Sequence, residues 1–266
     1  FVGEEGNDTL IGGEGSDTLD LSARESGQEV NLEDGSARDG QTGETDTLVS
    51  VENVITGAGD DTVIASSDAN VISTGAGDDV IRGVGGNDTI DGGDGNDTVS
   101  FGNESGLNVD LANGTATMGS GTAQLSNIEN ITGSANNDVI SGDDGANTLS
   151  GMAGDDTISG GGGDDVLSGG AGNDTVDYTD VDGGVTVDLS TGTATGDGND
   201  TLSGFENVVS GSGNDIVYGN AVDNIINTGA GDDTVFGSAG DDTLIGGDGN
   251  DTLSYNAGVT GPGSAV

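Results

Sequence analysis

Fourteen aspartates keep a common phase along this chain: Asp8, Asp17, Asp61, Asp79, Asp88, Asp97, Asp138, Asp156, Asp165, Asp174, Asp215, Asp233, Asp242 and Asp251. Each is the sixth residue of a nine-residue unit whose fourth residue is usually Gly. Rows of carboxylates next to glycine-rich backbone offer hard oxygen donors, which is the chemistry of a hard divalent cation. Other chemistries are excluded by what is missing. The chain has no His, Cys, Lys or Trp, and its only cationic side chains are Arg24, Arg38 and Arg82. That removes zinc sites of thiolate or imidazole, Ser-His-Asp and Cys-His nucleophiles, Schiff-base lysines and the lysine of a phosphate-binding loop. No disulfide supports the fold, and the lack of Cys names no compartment.

Of 266 residues, 55 are Gly and 49 are Asp or Glu, against 3 Lys plus Arg, for a net charge of -46. With 30% hydrophobic and 3% aromatic residues, this is the composition of a disordered chain. Periodicity overturns that expectation. The acidic surface repels nucleic-acid phosphate and anionic lipid, so the expected partners are cations and no nucleic acid. Apolar runs are only a few residues long, so no membrane insertion is expected.

The elements that must position the aspartates follow from the repeat. Units such as GGDGNDTVS (92–100) and GGDGNDTLS (246–254) recur seventeen times: two at 3–20 and five each at 56–100, 133–177 and 210–254. Residues seven to nine read as a short strand with one inward aliphatic, and the first six as a turn through positive-φ conformations. One unit cannot bury its single aliphatic alone, so units must stack into a solenoid. The expected core is the column at position eight, from Leu10 and Leu19 through Val63–Val99 and Ile140–Val176 to Val217–Leu253.

A longer period is superimposed. Related segments interrupt the units at 21–55, 101–132 and 178–209, sharing VNLEDGSA (30–37), VDLANGTA (109–116) and VDLSTGTA (187–194), each read as a hairpin turning at the Gly. Each closes on Glu-Asn (Glu52, Glu129, Glu206) with the nine-residue register restored at Val54, Ile131 and Val208. The expected organisation is the end of a first run at 1–20, then blocks 21–100, 101–177 and 178–254, with a further insertion beginning at 255–266. The chain therefore reads as an excerpt of a longer array. Its uncapped ends predict end-to-end self-association or continuation into neighbouring blocks.

If two units make one coil, position-six residues of units i and i+2 stack about 4.8 Å apart. Bare carboxylates at that spacing repel by roughly 3.5 kcal/mol per pair at an effective dielectric of about 20. Six such pairs have Asp on both sides, and their sum, on the order of 20 kcal/mol, exceeds the ~5–15 kcal/mol stability of a domain. A divalent cation between turns reverses the sign. Six to eight oxygens suit calcium, whereas magnesium keeps its water and softer metals lack nitrogen or sulfur here. The expected cofactor is Ca2+, in multiple copies.

At seventeen copies, the GGxGxDxUx unit resembles the repeats-in-toxin (RTX) family. The resemblance implies an all-β, right-handed parallel β-roll (β-solenoid) with calcium between stacked turns, folding triggered by calcium, and type I secretion to an extracellular or cell-surface location. The departures are systematic. The second unit of each full run has Asn at position six (Asn70, Asn147, Asn224), and two of these lack the position-four Gly (Asp68, Val222). The NDT triplets at Asn7, Asn87, Asn96, Asn173 and Asn250 are read as products of the repeat rather than glycosylation sites, the Glu-Asn coils as structural, and Phe101, Tyr178 and Tyr255 as core plugs. No catalytic constellation is present, so the expected function is a non-enzymatic, calcium-rigidified module of a long secreted or surface protein: an adhesin extender, surface-layer or fibre component. The alternative is the calcium-binding tail of an exported protease, lipase or alginate epimerase. An ice- or carbohydrate-binding module is disfavoured, since ice binding would need Thr at position three.

Overall fold

Most units give regular structure only three residues, at positions seven to nine, and in a few coils the strand runs on through positions one to three of the next unit, as in Val71–Ala76 and Thr148–Ala153. The computed structural model describes residues 6–40, 42–102 and 104–255. Among these there is no helix, and positions seven to nine form strands such as Thr62–Ile64, Val80–Arg82 and Thr157–Ser159. This is the all-β parallel β-roll. Two units make one coil, since same-sheet neighbours are eighteen residues apart and parallel: Val63 pairs with Ile81 and Ile81 with Val99, as Ile140 pairs with Ile158 and Ile158 with Val176.

The chain forms two compact units, Phe1–Ser134 and Ala135–Val266. In the first, one sheet runs Thr9–Ile11, Thr45–Val49, Ser36–Asp39, Gln28–Asn31, Thr62–Ile64, Val80–Arg82, Thr98–Ser100 and Asn130–Thr132. The facing sheet runs Thr18–Asp20, Asn53–Ile55, Val71–Ala76, Thr89–Asp94, Gly121–Ser126, Thr115–Met118 and Asn108–Asp110. In the second unit the sheets run Thr148–Ala153, Val166–Ala171, Asn199–Ser203, Thr193–Thr195, Thr186–Asp188, Ile216–Tyr218, Thr234–Phe236 and Thr252–Ser254, and Val139–Ser141, Thr157–Ser159, Thr175–Tyr178, Asn207–Ser210, Ile225–Asn227 and Thr243–Ile245.

The segments read as hairpins are three-stranded meanders. In the first, Gln28–Asn31 is antiparallel to Ser36–Asp39, which is antiparallel to Thr45–Val49. The outer two strands lie parallel to the roll, Val30 beside Val63 and Leu48 beside Leu10. The hairpins turn at Gly35, Gly114 and Gly192, each at positive φ. The meander thus replaces one strand by three without breaking the ladder. Within the first unit, the two meanders lie in opposite sheets. Six alternating strands separate them, so the next insertion falls on the other face.

The core is the position-eight column. Leu19, Val63, Ile81, Val99, Ile140, Leu149, Ile158, Leu167, Val176, Val217 and Val235 are fully buried, and the register residues Val54, Ile131 and Val208 join them. Two ends of the expected column depart from it: Leu10 is only partly buried and Leu253 is 42% exposed. Both lie in the outermost strand of their sheet, where a neighbour covers one side only. Phe101 and Tyr178 are buried as expected, whereas Tyr255 is 60% exposed; the insertion expected after it lies outside the described residues.

Each fully buried aliphatic contributes about 1.5–3 kcal/mol. Ile158→Ala should therefore cost about 2–5 kcal/mol in urea unfolding, and Leu253→Ala about 1 kcal/mol or less. Equal losses would show that position eight is not the core.

Candidate metal centre

The turn before each strand carries the position-six carboxylate inward. Ten of the fourteen aspartates are buried to 1% exposure or less: Asp61, Asp79, Asp88, Asp97, Asp138, Asp156, Asp165, Asp174, Asp215 and Asp233. Asp8, Asp17, Asp242 and Asp251 are partly buried. In eleven of the fourteen, one oxygen accepts a backbone N–H of an earlier turn. Oδ1 of Asp79 accepts the backbone N–H of Asp61 at 2.7 Å, and Oδ1 of Asp97 accepts that of Asp79 at 2.8 Å. The same bond links Asp138 to Asp156, Asp156 to Asp174, and Asp215 to Asp233. In these coils the carboxylate clasps the turn one coil before it.

In nine of the fourteen the second oxygen has no hydrogen-bond partner. Oδ2 of Asp17, Asp61, Asp79, Asp88, Asp97, Asp156, Asp165, Asp174 and Asp233 is buried with no hydrogen bond. Leaving one buried polar atom unsatisfied costs about 1–3 kcal/mol, and more when it is charged. Nine equivalent orphans cannot be local accidents. Some lie over the position-one residue of their own unit: a Cβ built on Gly92 would lie 2.2 Å from the carbonyl oxygen of Asn127 and 2.5 Å from Oδ2 of Asp97, and one on Gly169 2.2 Å from that of Gly204 and 2.7 Å from Oδ2 of Asp174. Gly92 and Gly169 are therefore small for want of space, not for their φ, which corrects at these places the expectation that all the turn glycines serve positive φ; Gly83 (φ 69) keeps to it, and Thr56, Thr74 and Thr228 stand at position one in other units. Positions two and four do serve it, as at Gly93 (φ 101) and Gly95 (φ 153). A Cβ at the position-four glycines Gly95 and Gly249 would overlap the carbonyl oxygens of Gly77 and Gly231 one coil back.

Burial dominates the electrostatics. It pushes the carboxyls of Asp61, Asp88, Asp97, Asp156 and Asp165 up to about 6, and raises those of Asp79, Asp174 and Asp215. Repulsion between stacked aspartates, expected to be the leading penalty, is the smaller contribution. The Oδ1 bond to the preceding turn offsets part of both effects.

Several contributors were not anticipated from the sequence. Position five forms a second, exposed ladder of opposite direction: the N–H of Asp78 donates to Oδ1 of Asp60, Asn96 to Asp78, Asp155 to Asn137 and Asn173 to Asp155. The NDT asparagines belong to this ladder, Asn7 accepting from Thr45 and Asn87 from Thr122. Glu52, Glu129 and Glu206 stand in for aspartate in the inner ladder, accepting the N–H groups of Asp17, Asp97 and Asp174 at 2.8–2.9 Å. Asp46 and Asp200, on the third strands of meanders, do the same for Asp8 and Asp165.

The last case is a whole nonapeptide. Thr195–Ser203 reads TGDGNDTLS; Gly198 at φ 146 packs on the carbonyl of Gly163, and Asn199 joins the position-five ladder through Asp164. The repeat signal was present, but out of phase with the preceding run.

At positions six with Asn, the pattern inverts. Asn70 and Asn224 turn Nδ2 toward the carbonyls of Glu52 (2.6 Å) and Glu206 (2.7 Å), while Oδ1 accepts an N–H of the same turn, from Ser66 and Asn220. Asn147 likewise accepts from Asp143.

Among the described residues, no three acidic side chains converge as a ligand set. A cation here would need oxygens beyond the carboxylates, and backbone carbonyls of the stacked turns lie close to them, as do some side-chain hydroxyls such as that of Ser210. A donor set of oxygen alone, with one buried acceptor per turn left over, fits calcium. A search of curated proteins gives no match. The model of the RTX calcium-binding nonapeptide repeat (4 copies) matches residues 1–23, 55–90, 73–105, 126–151, 141–176, 194–235 and 218–253, and the 194–235 match takes in the Thr195–Ser203 turn. The matched stretches cover well over half of the chain. With the repeat, the roll and the oxygen-only turns agreeing, this chain belongs to the RTX calcium-binding nonapeptide repeat family and is a β-roll that binds multiple calcium ions.

Proposed function

We propose that the chain is a calcium-dependent structural module of a long secreted or cell-surface protein, an adhesin extender, surface-layer or extracellular fibre component, built of blocks 21–100, 101–177 and 178–254. The fourteen position-six aspartates hold the ions, with turn carbonyls completing the oxygen shell. The observation that carries this reading is the row of buried Oδ2 atoms without donors. A bound divalent ion supplies the positive charge that these oxygens lack. The protein's own part is to bring each carboxylate into place through Oδ1 and to keep space over position one by having no large side chain there. The module has no catalytic role in this reading, which is supported by the absence of His, Cys and Lys. An exterior setting suits such a device: a site holding calcium at 100 times its dissociation constant gains about 2.7 kcal/mol. Many such sites together decide whether the roll is folded.

Circular dichroism should show β-structure lost in EDTA and restored by calcium but not magnesium. Asp88→Ala or Asp165→Ala should lower the cooperativity of the calcium titration, and Asn147→Ala should leave it nearly unchanged. Equal effects would remove position six from the ligand set.

The pH dependence has a sign of its own. Carboxyls with folded pKa near 6 against about 3.9 unfolded cost stability progressively as pH rises through that window. Without metal, the melting temperature should therefore be higher at pH 5 than at pH 7.5. At limiting calcium the order should reverse, because ligands must be deprotonated to bind. A metal-free melting temperature that rises with pH would refute the assignment of these carboxyls.

A further inference from the structure

Position one is not always glycine. Four of the seventeen in-phase units carry a hydroxyl there, at Thr56, Thr74, Ser210 and Thr228, and all four side chains are buried. They come as two pairs eighteen residues apart, Thr56 with Thr74 and Ser210 with Thr228, and each pair begins at the unit that follows a meander. The run at 133–177 has only glycine at position one. Burying a hydroxyl costs free energy unless its proton finds an acceptor. Here it does. Oγ1 of Thr56 donates to the carbonyl of Thr74 at 2.7 Å, that of Thr74 to the carbonyl of Gly92 at 2.8 Å, and that of Thr228 to the carbonyl of Gly246 at 3.0 Å. Each acceptor is the position-one residue one coil ahead.

A hydroxyl that has given away its only proton keeps its lone pairs. At position one they lie beside the carboxylate of the same unit. Serine shows the closeness directly: Oγ of Ser210 is 2.6 Å from Oδ2 of Asp215 and 3.2 Å from the carbonyl of Thr228, so its one proton has two claimants. Burial raises the carboxyls of Asp61 and Asp79, and the neighbouring hydroxyls of Thr56 and Thr74 are among the groups that pull them back. Even so, Oδ2 of Asp61 and of Asp79 has no hydrogen bond, because the threonine protons are committed to the coil ahead. Thr228 commits its proton in the same way, and Oδ2 of Asp233 is an orphan too. An oxygen with no proton left to give thus stands by a carboxylate oxygen that has received none. Hydrogen bonding cannot satisfy two such acceptors, whereas one cation can.

Building on the calcium-dependent reading above, we propose that Thr56, Thr74, Ser210 and Thr228 are calcium ligands, each giving its proton to the coil ahead and its oxygen to the ion held by the position-six carboxylate of its own unit. At Ser210 the ion displaces the proton from Oδ2 of Asp215 to the carbonyl of Thr228. A hydroxyl oxygen adds a donor without adding like charge to a row of carboxylates that already repel one another. The turns of Asp61, Asp79, Asp215 and Asp233 therefore fill at lower calcium than turns with glycine at position one, such as those of the run at 133–177.

The chain has no Cys, so a thiol introduced at position one is the only thiol it offers to a soft metal. Thr74→Cys and Ser210→Cys in the full chain, titrated with cadmium and followed by thiolate-to-cadmium charge-transfer absorbance, are compared with Thr89→Cys, whose parent residue is exposed at position seven. The band should appear at cadmium concentrations at least about tenfold lower in the two position-one variants, and adding Asp79→Ala should remove that advantage from Thr74→Cys. A hydroxyl that only bonds one coil to the next would give no such cadmium preference. In parallel, hydrogen–deuterium exchange of Val80–Arg82 should need about tenfold more calcium for protection in Thr74→Val, and wild-type calcium in Thr74→Ser. Equal cadmium binding by all three thiol variants, or Thr74→Val titrating like wild type, would overturn the ligand role; the calcium reading stands if the wild-type chain still gains β-structure in calcium. A wild-type chain that gains neither β-structure nor protection in calcium would overturn both. Should the Thr74 variants fail to fold, Ser210→Cys against Thr89→Cys decides alone.

Discussion

A buried carboxylate with only one of its two oxygens bonded governs this structure. The Oδ1 half of the position-six aspartate is the clasp between coils, taking the N–H of the turn eighteen residues back. The Oδ2 half is left in a dry pocket over a small residue. The first interaction orders the turn and so creates the second problem: it holds the charge where water cannot reach it. Burial, more than neighbour repulsion, is what raises these carboxyls. A roll of this kind is consequently poised. It is ordered enough to define a site, and is short of the positive charge that would complete one.

The rest of the architecture serves that arrangement. The aliphatic column is one side chain thick, and two sheets of short strands, three to six residues each, close over it. The outer ladder at position five runs counter to the inner one at position six, so consecutive turns are bonded in both directions. Glutamate in the closing coils shows how tolerant the clasp is, since a longer side chain reaches the same N–H while the turn is shortened. The meanders exchange one strand for three and preserve the parallel register on both flanks.

Much of this was legible in the residue order. The strands at positions seven to nine, the column at position eight and the recurrence of Asp all follow from a nine-residue period, because a period is a statement about equivalent environments; that two units make a coil was implied by the family resemblance and is seen in the pairing of Val63 with Ile81. Val54, Ile131 and Val208 could be assigned to the core before any coordinates, since the register survives the insertion. The same logic accounts for the failure at Leu10 and Leu253: periodicity makes all units equal, whereas an outermost strand has a neighbour on one side only.

What three dimensions alone decided were the partners of atoms distant in sequence. Thr195–Ser203 carries the repeat motif in plain view, but only the meander's path brings Asp200 beside Asp165, and only burial beside Tyr178 removes its orphan oxygen. Position one and position four both prefer glycine, and no sequence argument separates them; the structure does, because Gly95 and Gly249 at position four need positive φ, whereas Gly92 and Gly169 at position one are confined between a carbonyl and their own unit's carboxylate. Asparagine for aspartate at positions 70 and 224 is a single-atom change on paper. Its consequence, an amide turned toward a glutamate carbonyl instead of an oxygen awaiting a cation, depends on which groups the fold places opposite it. Composition and period determine which residues share an environment, and the packed turns determine what that environment demands of each atom.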